Sequence, residues 1–158
     1  MVGRMRQLGK IKCLESNLGD ETSDLVILFH GYGADAYDLQ TLSDVISTKK
    51  SMNWLFPQGP LEVPIGPGWT GRAWWQIDMN AIQEAVNRGQ PRDLSIEYPE
   101  GLKKIRSQIF EMIEKTKIPW NRIILGGFSQ GAMLATDIYL HSEQSAKGLV
   151  LFSGALLC

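Results

Sequence analysis

The pattern of apolar runs predicts an α/β fold, a mostly parallel sheet with helices on both faces. Residues 25–29, 123–125 and 148–152 are short, continuous and aliphatic, as in strands covered on both sides. Between them lie stretches with helical apolar spacing, above all Leu102, Ile105, Ile109, Met112 and Ile113. Strands that alternate with helices pair in parallel. The 158 residues, 44% of them hydrophobic, suffice for one core and not for two, so a single domain over residues 1–158 is expected.

Taken in order, the first twelve residues carry Arg4, Arg6, Lys10 and Lys12 and no apolar run of signal-peptide type, and they read as a solvated edge. Residues 9–14 alternate loosely and predict an edge strand, followed by a polar turn over 16–23. Leu25-Val26-Ile27-Leu28-Phe29 predicts a buried strand that runs into His30-Gly31-Tyr32-Gly33-Ala34-Asp35. Leu39, Leu42, Val45 and Ile46 predict a short amphipathic helix over 38–46, and Trp54-Leu55-Phe56 a strand stopped by Pro57.

Residues 57–75 hold Pro57, Pro60, Pro64, Pro67 and four glycines, which predicts a long ordered loop with neither helix nor strand, of the kind that is usually functional. It closes on Trp74-Trp75-Gln76-Ile77-Asp78. A helix is expected over 79–86, a break at Gly89-Gln90-Pro91, and a longer helix after Pro99 with Lys115 and Lys117 at its C-terminal end. After Ile118-Pro119-Trp120 come the strand of Ile123, a helix to about His141, and a last strand over 148–152.

The most informative stretch is Gly126-Gly127-Phe128-Ser129-Gln130-Gly131, between that strand and the Ala, Met and Leu run of the next helix. In Gly127-x-Ser129-x-Gly131 the glycines permit a tight strand-to-helix turn that holds Ser129 Oγ clear of the sheet, a nucleophile elbow. Acyl transfer by serine needs two backbone N–H donors for the oxyanion, one from the residue after the nucleophile and one from a loop after another strand. Gln130 and Tyr32 stand in those positions.

Composition excludes several classes. A net charge of −1 gives no field for nucleic acid or an anionic membrane. The longest aliphatic runs are too short for stable membrane insertion. Cys13 and Cys158 have no paired spacing, which points to a reducing, cytoplasmic setting. No Cys or His spacing suggests a metal. No phosphate loop is present, and no cofactor is expected.

In order, the His30–Asp35 segment, the Trp74–Asp78 segment, Gly126 to Ala132 and Leu151-Phe152-Ser153-Gly154 resemble the acyl-protein thioesterase, carboxylesterase and phospholipase family of α/β-hydrolases. The resemblance runs from about Leu25 to the last residue and implies Ser129 as nucleophile and Tyr32 and Gln130 as oxyanion-hole amides. It implies acyl esters or thioesters as substrates, a lipidated protein or a lysophospholipid among them. The family's tryptophan-then-aspartate element is altered here, with Trp74, Trp75 and Asp78 as candidate substrate contacts. A homodimer is among the expectations.

Members of that fold place an Asp or Glu and then a His on loops after later strands. Only His30 and His141 are available. His141 is twelve residues beyond Ser129 on one expected helix, about 18 Å away along its axis and outside hydrogen-bond reach. Asp137 fails in the same way, and His30 belongs to the oxyanion loop, where it holds the turn. The expectation is therefore an incomplete α/β-hydrolase domain, cut short before its C-terminal strands and close to inert alone, with its last strand an unpaired edge.

Two other readings compete. Gly31-x-Gly33-x-x-Ala36 after a strand fits a dinucleotide fingerprint, but the next strand ends in Phe56-Pro57-Gln58 without the acidic residue such a site requires. A catalytically dead scaffold, pairing its last strand with a partner, remains open.

Overall fold

The computed structural model describes residues 3–16, 20–90 and 97–157. Residues 17–19 of the expected polar turn, Pro91 of the expected break and Cys158 lie outside them. The chain runs β1 (Arg4–Leu8), β2 (Ile11–Ser16), β3 (Leu25–Phe29), α1 (Leu42–Val45), β4 (Asn53–Pro57), β5 (Leu61–Gly66), β6 (Trp69–Ala73), α2 (Met79–Asn87), α3 (Leu102–Thr116), β7 (Ile123–Phe128), α4 (Gln130–His141) and β8 (Gly148–Phe152).

Six strands form one sheet in the order β1-β2-β4-β3-β7-β8. β4, β3, β7 and β8 are mutually parallel, while β1 and β2 add on antiparallel. This is the mostly parallel α/β sheet that the alternating runs predict, and it fits the α/β-hydrolase fold that the resemblance implies. The parallel strands are the most apolar because both their faces are covered: all five residues of β3 are buried. On one face α3 and α4 press Ile105, Ile109, Met112, Leu134 and Ile138 against Ile27, Phe29 and Leu125. On the other, Val26, Leu28, Trp54 and Phe56 pack under Ala36, Leu39 and Leu42. α3 is the helix its spacing predicts, since Leu102, Ile105, Ile109, Met112 and Ile113 are all buried.

Three expectations need correction. Residues 9–14 do not supply the edge strand: Arg4 to Leu8, exposed except for Leu8 as a solvated edge should be, pair outside β2 and move it one place inward. The helix expected over 38–46 shrinks to the single turn of α1. Residues 57–75 are not irregular, because β5 and β6 pair antiparallel as a separate two-stranded ribbon. Pro64 is tolerated there since both strands of such a ribbon are edges. Pro67 followed by Gly68 at φ 74° is the pattern of a type II turn.

At the far edge, β8 leaves Val150, Leu151 and Phe152 exposed. Among the described residues no helix is long and apolar enough to cross a membrane.

Candidate active site

Register aligns the carboxyl ends of three strands. Phe29 of β3 faces Gly127 of β7, and Phe128 of β7 faces Phe152 of β8, so the loops after them meet, as expected of an open parallel sheet. Ser129 occupies the sharp junction of β7 and α4 at φ 53°, ψ −115°. A non-glycine residue at positive φ is strained, and such strain gathers at functional positions.

The two flanking glycines are required sterically. A Cβ on Gly131 would sit 2.0 Å from the Phe29 carbonyl oxygen, and one on Gly127 would sit 2.4 Å from the Gly131 carbonyl carbon. The Ser129 N–H donates to the carbonyls of Phe152 and Ser153 at 3.0 and 2.8 Å, so the end of β8 holds the strained residue in place. Sequence patterning gave no sign of that contact, since it depends on the pairing of β7 with β8.

The loop after β3 is brought against the elbow. A Cβ on Gly31 would lie 3.6 Å from Ser129 Cβ, so Tyr32 follows directly from a point of contact with the candidate nucleophile. Two backbone bonds pin the loop to the ribbon: Gly33 N–H donates to Arg72 O and Arg72 N–H to Ala34 O, both at 2.8 Å. The ribbon comes so close that a Cβ on Gly71 would lie 1.9 Å from Gly33 O. Gln130 opens α4, where first-turn amides have no intrahelical acceptor. Among the described residues the Tyr32 amide likewise has no hydrogen-bond acceptor.

His30 is buried behind the loop. Its Nε2 accepts from Gly59 N–H at 2.9 Å, which fixes the proton on Nδ1, and Nδ1–H donates to Gly31 O at 2.8 Å. Both ring nitrogens are thus committed to the turn. Burial holds its pKa below the usual 6.5, against an opposing pull from the Gly31 bond and from Asp35 and Asp38. His141 sits at the end of α4, with Nδ1 on the Asp137 carbonyl at 2.9 Å. Asp137 itself is locked in a bidentate pair with Arg106 at 2.7 and 2.8 Å. Cys13 is also buried, and burial pushes its thiol up to about 12, which makes it a poor nucleophile.

Beside Ser129 opens a cleft of about 330 Å³, walled by Trp75, Ile77, Ile82, Tyr98 and Met133 with Gln76 and Asp78 at its rim. The three candidate substrate contacts divide. Trp75 lines this cleft. Asp78 is also on it, but its carboxylate caps α2 by accepting from Ala81 N–H at 3.0 Å, a role that an Asp just before a helical run could have signalled. Trp74 is in the core, 2% exposed, with its indole N–H on the His30 carbonyl at 2.8 Å. Trp69 stands exposed on the ribbon. Tyr98 and Met133 were not singled out by the sequence. They become cleft residues only when α4 is laid beside the 97–99 segment.

A model of the phospholipase/carboxylesterase family matches residues 16–158. An acyl-protein thioesterase 1 of Schizosaccharomyces pombe is 29% identical over 135 residues, covering 83% of this chain and 55% of that protein. An acyl-protein thioesterase 1 homologue of Dictyostelium discoideum is 28% identical over 138 residues, covering 85% and 58%. The chain thus spans a little over half the length of these curated relatives. Among solved structures, a carboxylesterase from Mesorhizobium loti superposes with a TM-score of 0.72 at 14% identity over 99% of this chain and 68% of its own. A carboxylesterase from Bacillus cereus does so with 0.61 at 20% identity over 93% and 61%. At such identities these two speak for the fold.

Proposed function

We propose, from the premise that this chain belongs to the phospholipase/carboxylesterase family, that Ser129 is the nucleophile of a serine hydrolase acting on carboxylic esters or thioesters. The single observation that carries the reading is the strained Ser129 backbone, at φ 53° on a strand-to-helix junction, with the His30–Gly33 loop packed against it.

In this reading Ser129 Oγ bonds to the acyl carbon as its proton passes to water or another base from solution. The carbonyl electron pair moves onto oxygen, which the amides of Tyr32 and Gln130 stabilise in the oxyanion hole. Collapse breaks the acyl C–O or C–S bond, the leaving oxygen or sulfur takes a proton from solution and departs as alcohol or thiol, and water then releases the acid and restores the Ser129 hydroxyl. The apolar cleft walls suit an acyl chain; the acyl-protein thioesterase relatives favour a lipidated protein as substrate, and the phospholipase description of the family makes a lysophospholipid the alternative.

Neither imidazole of residues 1–158 is placed to take the serine proton. Lack of the base of a serine triad lowers turnover by about a million-fold and leaves about a thousand-fold over water, so residues 1–158 alone should hydrolyse esters slowly. The test is the imidazole-stimulated release of p-nitrophenol from p-nitrophenyl octanoate, in excess of the rate with imidazole alone, since added imidazole supplies the missing base. Ser129→Ala is expected to abolish that stimulated rate, leaving at most the serine-independent remainder. Equal stimulation in Ser129→Ala and the parent chain would overturn the reading.

A further inference from the structure

The two amides of the oxyanion hole come from different elements, the loop after β3 and the first turn of α4, and beyond the pairing of β3 with β7, among the described residues no backbone hydrogen bond joins that loop to that turn. We propose that the side chains of Gln130 and Trp74 form a buried bridge that sets the separation of the two amides, which makes both of them positioning residues. The proposal rests on the reading of Ser129 as nucleophile.

The bridge is continuous in hydrogen bonds. Gln130 Oε1 accepts from the Trp74 N–H at 3.0 Å, and Gln130 Nε2 donates to the Trp75 carbonyl at 2.9 Å. The Trp74 indole N–H then donates to the His30 carbonyl at 2.8 Å, one residue before Gly31 and two before Tyr32. The indole also lies against the His30 ring, centroids 5.0 Å apart, and meets Phe29 edge-on at 5.4 Å. His30 closes the path through its bonds to Gly31 and Gly59.

Gln130 therefore has two functions at one position: its backbone N–H is one oxyanion donor, and its side chain is anchored to the segment that holds the other. Gln130 as a whole is 1% exposed. An uncharged polar group so deep is unfavourable unless every bond is made, and here both its oxygen and its nitrogen are bonded. Met or Leu would fill the same space without that demand, so the amide is best explained by the geometry it imposes.

Oxyanion stabilisation acts on the transition state, and a shift of about 1 Å in such a group can cost on the order of 100-fold. Loss of the bridge should thus lower kcat and leave substrate binding alone.

The experiment uses the intact chain and two variants, Gln130→Met and Trp74→Phe, each of which keeps an apolar body and removes the bonding group. Two quantities are read: the amide resonances of Gly31 and Tyr32 in a ¹H–¹⁵N spectrum, and kcat and KM for p-nitrophenyl octanoate. The expected result is that both amides move in Gln130→Met, although the Gln130 side chain is hydrogen-bonded to neither, while those of Lys10 and Lys12 stay in place. kcat should fall on the order of 10- to 100-fold with KM unchanged. Unmoved Gly31 and Tyr32 amides, or a raised KM at constant kcat, would overturn the bridge and leave Gln130 as packing or as cleft wall. If Trp74→Phe fails to fold, Gln130→Met decides alone. An imidazole-stimulated rate that persists in Ser129→Ala would strike the nucleophile reading instead, and the spectra still decide whether the bridge positions the loop.

Discussion

His30 shows how a residue type associated with proton transfer can be withdrawn from it. The sequence placed this histidine on the oxyanion loop and assigned it to holding the turn, and its two ring nitrogens are bonded to Gly59 and Gly31. The role has a consequence for stability. Burial lowers the folded pKa below 6.5, so the neutral ring contributes stability that is fully present above 6.5. That contribution is lost as pH falls through the depressed folded value, because the unfolded chain takes up a proton that the folded one resists. The slope from this group is at most about 1.4 kcal/mol per pH unit. Urea unfolding between pH 7.5 and 5 should show the parent losing stability more steeply than His30→Gln, which should start lower and run flatter. Parallel profiles would mean that His30 does not titrate with folding.

Glycines in the β5–β6 ribbon have unequal meaning at the level of elements. Gly68 has positive φ with nothing near its missing side chain, whereas Gly71 faces the Gly33 backbone. Gly68→Ala should therefore cost about 1 kcal/mol through backbone strain and leave the ester rate unchanged. Gly71→Ala should cost about 1–3 kcal/mol through overpacking and lower the ester rate as well, because the ribbon must back away from the loop that carries Tyr32. Equal rates in the two variants would detach the ribbon from the site.

The same ribbon marks the limit of what patterning could show. Prolines were read as breaking every strand, yet the Pro67-Gly68 pair was a legible turn signal, and edge strands accept proline. By contrast α3 was readable residue by residue, because its apolar face is a purely local repeat. The strand-to-helix junction at Ser129 was legible from its glycines. The buried place of Trp74 and the side-chain hydrogen bonds of Gln130 were not, since both arise only where β7, α4 and the ribbon meet.

For the molecule as a whole, one property gathers the site: parallel strands β3, β7 and β8 end in register, and the loops that leave them converge on a single corner of the sheet. The rest of the fold supplies rigidity to that corner, through α3 and α4 on one face and the Arg106–Asp137 pair between them. If Ser129 is the nucleophile and neither His30 nor His141 serves it, a base from solution should substitute in part. The most direct measurement is mass spectrometry of the intact chain and its peptides after brief exposure to p-nitrophenyl octanoate with added imidazole. The account predicts one octanoyl group, located on Ser129, formed faster as imidazole is raised and absent from Ser129→Ala. An octanoyl group on another residue, or none while the ester is consumed, would contradict it.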